Sequence, residues 1–368
     1  MKFDKWLFLD VIILMLFGLL MIYSSSSIWA QYKFGNRFHY LIYQGAFILI
    51  SIFLMYFISK IKISFYYQKA TKILIIAFVL LILVLIPGIG IVRNGSRSWF
   101  GIGGLGIQPS EFAKLALIIF ASKYLEKSNK FLKDYKKGVF PILFILFLAF
   151  GLIMLEPDFG TGMILVISII AIMFIAGVNM KFFFLLGGIG VIGIIGLIVV
   201  APYRMDRITS FLDPWTDPLG TGFQIIQSLY SIGPGGILGM GLFNSRQKHF
   251  YLPEPQTDFI FSIISEEFGI LGVIIVVSLF AFLLYRSIKI SLNCEDKFKK
   301  YLSFGLIFQM IVQCIMNLAV VIGLIPVTGV TLPFLSYGGS SLLISSVSVG
   351  IILGISKEEC SYKIKNSN

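Results

Sequence analysis

The chain has 368 residues, 57% of them hydrophobic and 13% charged, with 30 Lys and Arg against 18 Asp and Glu. A soluble domain carries roughly 25% charged residues, so the composition excludes one, and the excess of +12 lies in short loops beside apolar runs, where it reads as a topology signal and not as a nucleic-acid surface. Apolar runs near the roughly 20 residues that cross a bilayer recur along the whole length, which gives an all-α polytopic membrane protein and excludes a closed barrel with alternating segments of about 10 residues.

The first run, Trp6 to Tyr23, lacks a small-x-small cleavage site and is followed by further spans, so it reads as a retained helix and not a secretory signal. Further spans are expected at about 40–59, 72–90, 110–125, 138–155, 160–178, 182–201, 257–285, 301–324 and 337–356, about ten helices in one membrane domain over 1–368. With the N-terminus in the cytoplasm, Lys60, Lys62, Lys69 and Lys72 share one inner loop, Lys123 to Lys137 a second, and Arg286 to Lys300 another. Basic residues thus fall on alternate loops, and both termini are expected in the cytoplasm. No internal repeat is visible, which counts against transporters built from inverted halves. Cys294, Cys314 and Cys360 show neither disulfide nor metal-ligand spacing.

One connection is long. Residues 202–257, rich in Pro, Gly, Asp and aromatics, are expected as an extracytoplasmic loop between the seventh and eighth helices. Within it Gly222 to Gly233 has helical apolar spacing and suits an amphipathic helix lying along the interface.

The outer face collects charges that topology signals usually leave out. Arg93, Arg97, Arg204, Arg207, Arg246 and Lys248 are candidates to hold an anion, and Arg forks suit phosphate; headgroup contacts and loop salt bridges are the plainer reading. Glu111 and Lys114, three apart at the head of the fourth span, share a helix face and can neutralise each other or line a cavity for an anionic headgroup. Glu156 and Asp158 sit at an outer turn, where a helix cap explains the second. Glu266 and Glu267, inside the eighth span, call for a basic partner on a neighbouring helix or a water-filled cavity. The glycine-rich stretches Gly101–Gly106, Gly233–Gly241 and Gly338–Ser341 do not follow a strand and open a helix as nucleotide loops do, and read as tight turns and close packing.

Asp258 stands in Tyr251-Leu-Pro-Glu-Pro-Gln-Thr-Asp258-Phe, where the outer loop re-enters the membrane. Burying a carboxylate there is costly, which asks for a reason. It serves either as an N-terminal helix cap or as a general base whose pKa the membrane border raises. His249 is a weaker candidate for the same work.

Met21-Ile-Tyr-Ser-Ser, Asn94-Gly-Ser-Arg-Ser-Trp-Phe-Gly, Ile107-Gln-Pro-Ser-Glu-Phe-Ala-Lys, Glu156-Pro-Asp-Phe-Gly-Thr-Gly, Asp213-Pro-Trp-Thr-Asp-Pro, Leu252-Pro-Glu-Pro-Gln-Thr-Asp-Phe and Pro326-Val-Thr-Gly-Val-Thr-Leu-Pro-Phe-Leu-Ser-Tyr-Gly-Gly follow one another along nearly the whole chain. In this it resembles the SEDS family of bacterial shape, elongation, division and sporulation proteins, and Phe223-Gln-Ile-Ile-Gln-Ser-Leu-Tyr is closer to the division and sporulation branch (FtsW, SpoVE) than to the elongation branch. The resemblance implies the SEDS fold in the bacterial cytoplasmic membrane and a peptidoglycan glycosyltransferase that polymerises lipid II on its outer face. It implies a class B penicillin-binding protein as transpeptidase partner within a division or sporulation wall complex. By the same resemblance Asp258 is the essential aspartate, and Arg97, Glu111 and Lys114 belong to the substrate cavity. A single base with no second catalytic carboxylate fits direct displacement with inversion. A flippase for lipid II and a non-catalytic scaffold are the alternatives. No metal-ligand spacing is present, and whether a divalent cation assists pyrophosphate departure stays open.

Overall fold

The computed structural model describes residues 3–93, 95–102, 105–132, 134–200, 205 and 209–366. Helices dominate: α1 (Lys5–Phe34), α2 (His39–Ile58), α3 (Ile63–Leu85), α4 (Pro109–Lys127), α5 (Phe140–Leu155), α6 (Phe159–Ala176), α7 (Met180–Val200), α8 (Phe223–Ile232), α9 (Ile260–Leu292), α10 (Lys297–Val321) and α11 (Gly339–Asn366). Among the described residues eight helices are long and apolar enough to span a bilayer: α1, α2, α3, a helix from Lys137 to Leu155 that includes α5, α6, α9, α10 and the Gly339–Glu359 part of α11. Helices α4 and α7 occupy the two remaining stretches expected to span; α4 carries Glu111, Lys114 and Lys123 along its length.

The third span begins earlier than hydropathy alone suggests. Helix α3 starts at Ile63, so Lys69 and Lys72 lie on its first turns and not in a loop. Its start is fixed from outside, because the Ile63 amide donates to Glu358 of α11 at 2.9 Å. At the same end Asp4 caps α1 through the Leu7 amide, pairs with Arg286 of α9, and donates its own amide to Ser356 of α11.

The second departure is a small antiparallel sheet, β1 (Ile91–Arg93), β2 (Ser96–Ile102) and β3 (Leu105–Ile107), ordered β1-β2-β3 between α3 and α4. The glycine-rich stretch expected as a turn is therefore partly strand, with Gly101 paired to Gly106. Gly95, at φ +79°, supplies the left-handed residue that lets the chain reverse between β1 and β2.

Helix α10 lies at the centre, against α4, α6, α9 and α11, while α2 packs along α11, α3 along α4, and α1 between α2 and α9. The interior of α4 and α10 is correspondingly polar where it must be satisfied from within, since a bilayer supplies no water to unpaired groups.

Helix α9 is broken. Gly269 adopts φ +60° and ψ −150° in mid-helix, which frees backbone groups at membrane depth. The returning segment 235–241 takes them up: Met240 and Gly241 donate to the Glu266 and Glu267 carbonyls at 2.9 and 3.0 Å, and Ile270 and Leu271 donate to Gly236 and Ile237 at 3.0 and 3.2 Å. Close backbone approach explains the glycines here, because a Cβ on Gly239 would lie 2.1 Å from the Glu267 carbonyl oxygen. The amphipathic helix expected over Gly222–Gly233 is α8; it buries Ile225 and Ile226, and its Ser228 hydroxyl donates to the Val321 carbonyl at the end of α10.

Candidate active site

Asp258 lies one residue before the N-cap of α9. That N-cap position is Phe259, and no side chain caps the helix there, so the capping alternative for Asp258 is not realised. The half-buried carboxylate instead accepts from the Thr257 hydroxyl at 2.9 Å. Thr257 is itself held by the Glu254 carbonyl, through its amide at 3.1 Å and its hydroxyl at 2.7 Å, and Glu254 sits at a positive φ of 43°. Burial pushes the Asp258 pKa up to about 6; the Thr257 hydrogen bond opposes this and the nearby Glu254 charge adds to it. A carboxylate titrating there is ionised at neutral pH yet basic enough to take a proton.

The backbone carrying Asp258 is fixed from α10. One Asn317 amide nitrogen donates to the carbonyls of Asp258 at 2.7 Å and Val330 at 2.8 Å. One turn earlier, Gln313 accepts from Lys114 at 2.9 Å and donates to the Thr331 carbonyl at 3.0 Å. The Glu111–Lys114 pair expected from sequence forms at 2.8 Å with both side chains buried. Lys114 is thus neutralised by Glu111, oriented by Gln313, and joined through one face of α10 to the segment that bears Asp258.

This polar stripe is what reading the sequence for charges missed. Gln309, Gln313 and Asn317 recur every four residues on α10 and are all buried. Three amides on one face of an apolar span are the available signal, since polar groups within membrane helices face the bundle interior.

The turn between α5 and α6 adds two carboxyls. Asp158 caps α6 through the Thr161 amide at 3.0 Å, as expected, and accepts from Gln108 at 2.9 Å. Glu156 is fully buried with both carboxyl oxygens unpaired among the described residues, and burial, with the Asp158 charge second, pushes its pKa up to about 9, so it is neutral. Its main-chain oxygen accepts from Ser96 of β2, which joins the sheet to this turn.

The basic candidates divide. Arg97, on β2, is half-buried, reaches the Leu85 carbonyl at 3.5 Å, and leaves its Nε unpaired among the described residues. Arg246 is exposed, its amide donating to Glu266 at 2.8 Å. Lys248 differs from the expectation of an anion-holding group, because it is buried and pairs with Glu267 at 3.0 Å, the carboxylate that also accepts from Ser24 of α1 at 2.7 Å. Glu267 therefore finds its basic partner in the returning loop and not on a neighbouring helix. Arg204 and Arg207 lie outside the described residues. No cluster of metal-ligating side chains occurs among the described residues.

Known proteins resemble this chain over nearly its whole length. Stage V sporulation protein E of Bacillus subtilis is 49% identical over 354 residues, 96% of this chain and 97% of its own, and the probable peptidoglycan glycosyltransferase FtsW of a Geobacter species (strain M18) is 40% identical with 96% of each chain covered. A chain solved in work on structural coordination of polymerisation and crosslinking by a peptidoglycan synthase complex superposes with a TM-score of 0.80 at 29% identity, covering 98% of this chain and 99% of that one. Residues 4–361 match the family model described as "Cell cycle protein", and this multi-pass membrane protein therefore belongs to the FtsW/RodA/SpoVE family.

Proposed function

We propose that this protein is a peptidoglycan glycosyltransferase that polymerises lipid II, with Asp258 as general base. The observation that carries the reading is the state of that carboxylate: half-buried, held only by Thr257 among the described side chains, displaced from the cap position, and raised in pKa. Asp258 takes the proton from the acceptor sugar hydroxyl as its oxygen bonds to the anomeric carbon of the donor. The bond from that carbon to the lipid pyrophosphate breaks in the same displacement, and the leaving group departs with the electron pair. One base and one displacement give inversion.

Arg97 and Arg246 are the described basic groups we assign to the departing pyrophosphate, and Arg204 and Arg207 are carried forward from the sequence for the same role. Glu111 and Lys114 position the cavity wall through Gln313. The 202–257 loop is read as extracytoplasmic and both termini as cytoplasmic, on the distribution of basic residues. A class B penicillin-binding protein is read as the partner, supported by the match to a chain from a peptidoglycan synthase complex.

Asp258→Asn tests the reading. Asn keeps the shape and caps helices well, so a structural residue would tolerate it, whereas loss of a general base lowers the rate by roughly 10²–10⁴-fold. Turnover of purified lipid II should collapse with thermal stability unchanged; near-normal turnover would return the flippase or scaffold reading to first place.

A further inference from the structure

Helix α1 has 30 residues, about 45 Å at the helical rise of roughly 1.5 Å per residue, and so outruns a hydrocarbon core of about 30 Å. Its N-terminal end is tied to Arg286 and Ser356, and its C-terminal end meets Phe250 in the segment that leads to Asp258. There Trp29 and Tyr32 meet Phe250 edge to face, with ring centroids 5.4 and 5.5 Å apart. Tyr32 is 77% exposed and Phe250 51%. Phe250 is held at φ +68°, a conformation costly for an aromatic residue, which marks the ring's position as imposed by its surroundings.

The cluster is continuous with the candidate active site. Tyr40 lies between the Trp29 indole and the Gln256 amide, its ring 4.9 Å from Tyr337, whose amide donates to the Gln256 carbonyl at 2.8 Å, two residues from Asp258.

We propose that Trp29, Tyr32 and Phe250 form a platform that holds the glycan strand beside Asp258, a saccharide subsite that rests on the glycosyltransferase reading above. Sugar rings present apolar C–H faces that lie flat on aromatic rings, and Tyr32 and Phe250 are the exposed rings of the cluster. Aromatic rings also anchor helices at the membrane surface, so direct binding of a saccharide, and not strand length alone, decides between the two roles.

The test separates these roles. Tyr32→Ala with Phe250→Ala should shorten the strands made from purified lipid II several-fold, Tyr32→Trp with Phe250→Tyr should restore their length, and Tyr32→Leu with Phe250→Leu should not. A hexamer of β-1,4-linked N-acetylglucosamine, titrated calorimetrically into purified Asp258→Asn protein, should bind, and the alanine pair in that background should weaken binding roughly tenfold. The titration needs no turnover, so it reads the platform even if polymerisation by Asp258 is refuted. Unchanged strand lengths, rescue by leucine, or absence of hexamer binding would overturn the proposal.

Discussion

A single Asn317 side-chain nitrogen donates to the main-chain oxygens of both Asp258 and Val330, at 2.7 and 2.8 Å, and so fastens two segments remote in sequence to one face of α10. Without it the Asp258 peptide would lose its buried donor. Asn317→Ala should cost on the order of 1–3 kcal/mol in stability and, with Asp258 as the proposed base, lower kcat more than it raises KM, because that base is displaced while substrate contacts elsewhere survive. Unfolding midpoints and steady-state polymerisation measured on one preparation check both parts; a stability loss with unchanged kcat would make Asn317 purely structural.

The raised pKa of Asp258 gives a pH dependence with a definite sign. In the proposed role of general base Asp258 must be ionised, so the rate should fall as pH drops through about 6 and be level above it on this limb. Burial is the main cause, and the Glu254 charge adds to it. Glu254→Gln should therefore move the limb to lower pH without abolishing turnover. A limb that stays in place would show that another group controls it.

Gly269 and Gly239 should tolerate no side chain. An alanine Cβ at Gly269 would lie 2.5 Å from the Gly239 nitrogen and 2.6 Å from the Gly236 oxygen, at a φ already unfavourable for L residues. Gly269→Ala and Gly239→Ala should each reduce the yield of monodisperse folded protein severely, whereas Gly188→Ala, with nothing within 4 Å of its added methyl, should be neutral. Size-exclusion profiles in mild detergent decide the matter.

Orientation is read from the lysine distribution and is tested by labelling. With native cysteines removed, Asn244→Cys in the exposed part of the 202–257 loop should react with an impermeant thiol reagent in intact cells. Reaction only after lysis would invert the topology.

The membrane character, the amphipathic α8, the Glu111–Lys114 pair and the Asp158 cap were legible because each rests on local spacing. The sheet was missed although Asn94-Gly95 is a strong hairpin dipeptide, since the surrounding glycines mask the strand pattern. The roles of Lys248 and Gln313 were not legible. A charged side chain declares that it needs a partner but not which one, and Lys248 finds Glu267 only because the loop folds back onto broken α9. Gln313 and Asn317 were overlooked because uncharged amides barely lower the hydropathy of a long span.

The break at Gly269 bears on how the chain is assembled. Helix α9 cannot settle in lipid on its own, because the groups freed at Glu266, Glu267, Ile270 and Leu271 are satisfied only by residues 235–241, which precede it in synthesis. Those residues must have reached their final side of the bilayer before the helix leaves the insertion machinery. With the loop outside, as proposed, its translocation is a precondition for integrating the span behind it, and a stall in its passage would strand α9 half-inserted as a substrate for quality-control proteolysis.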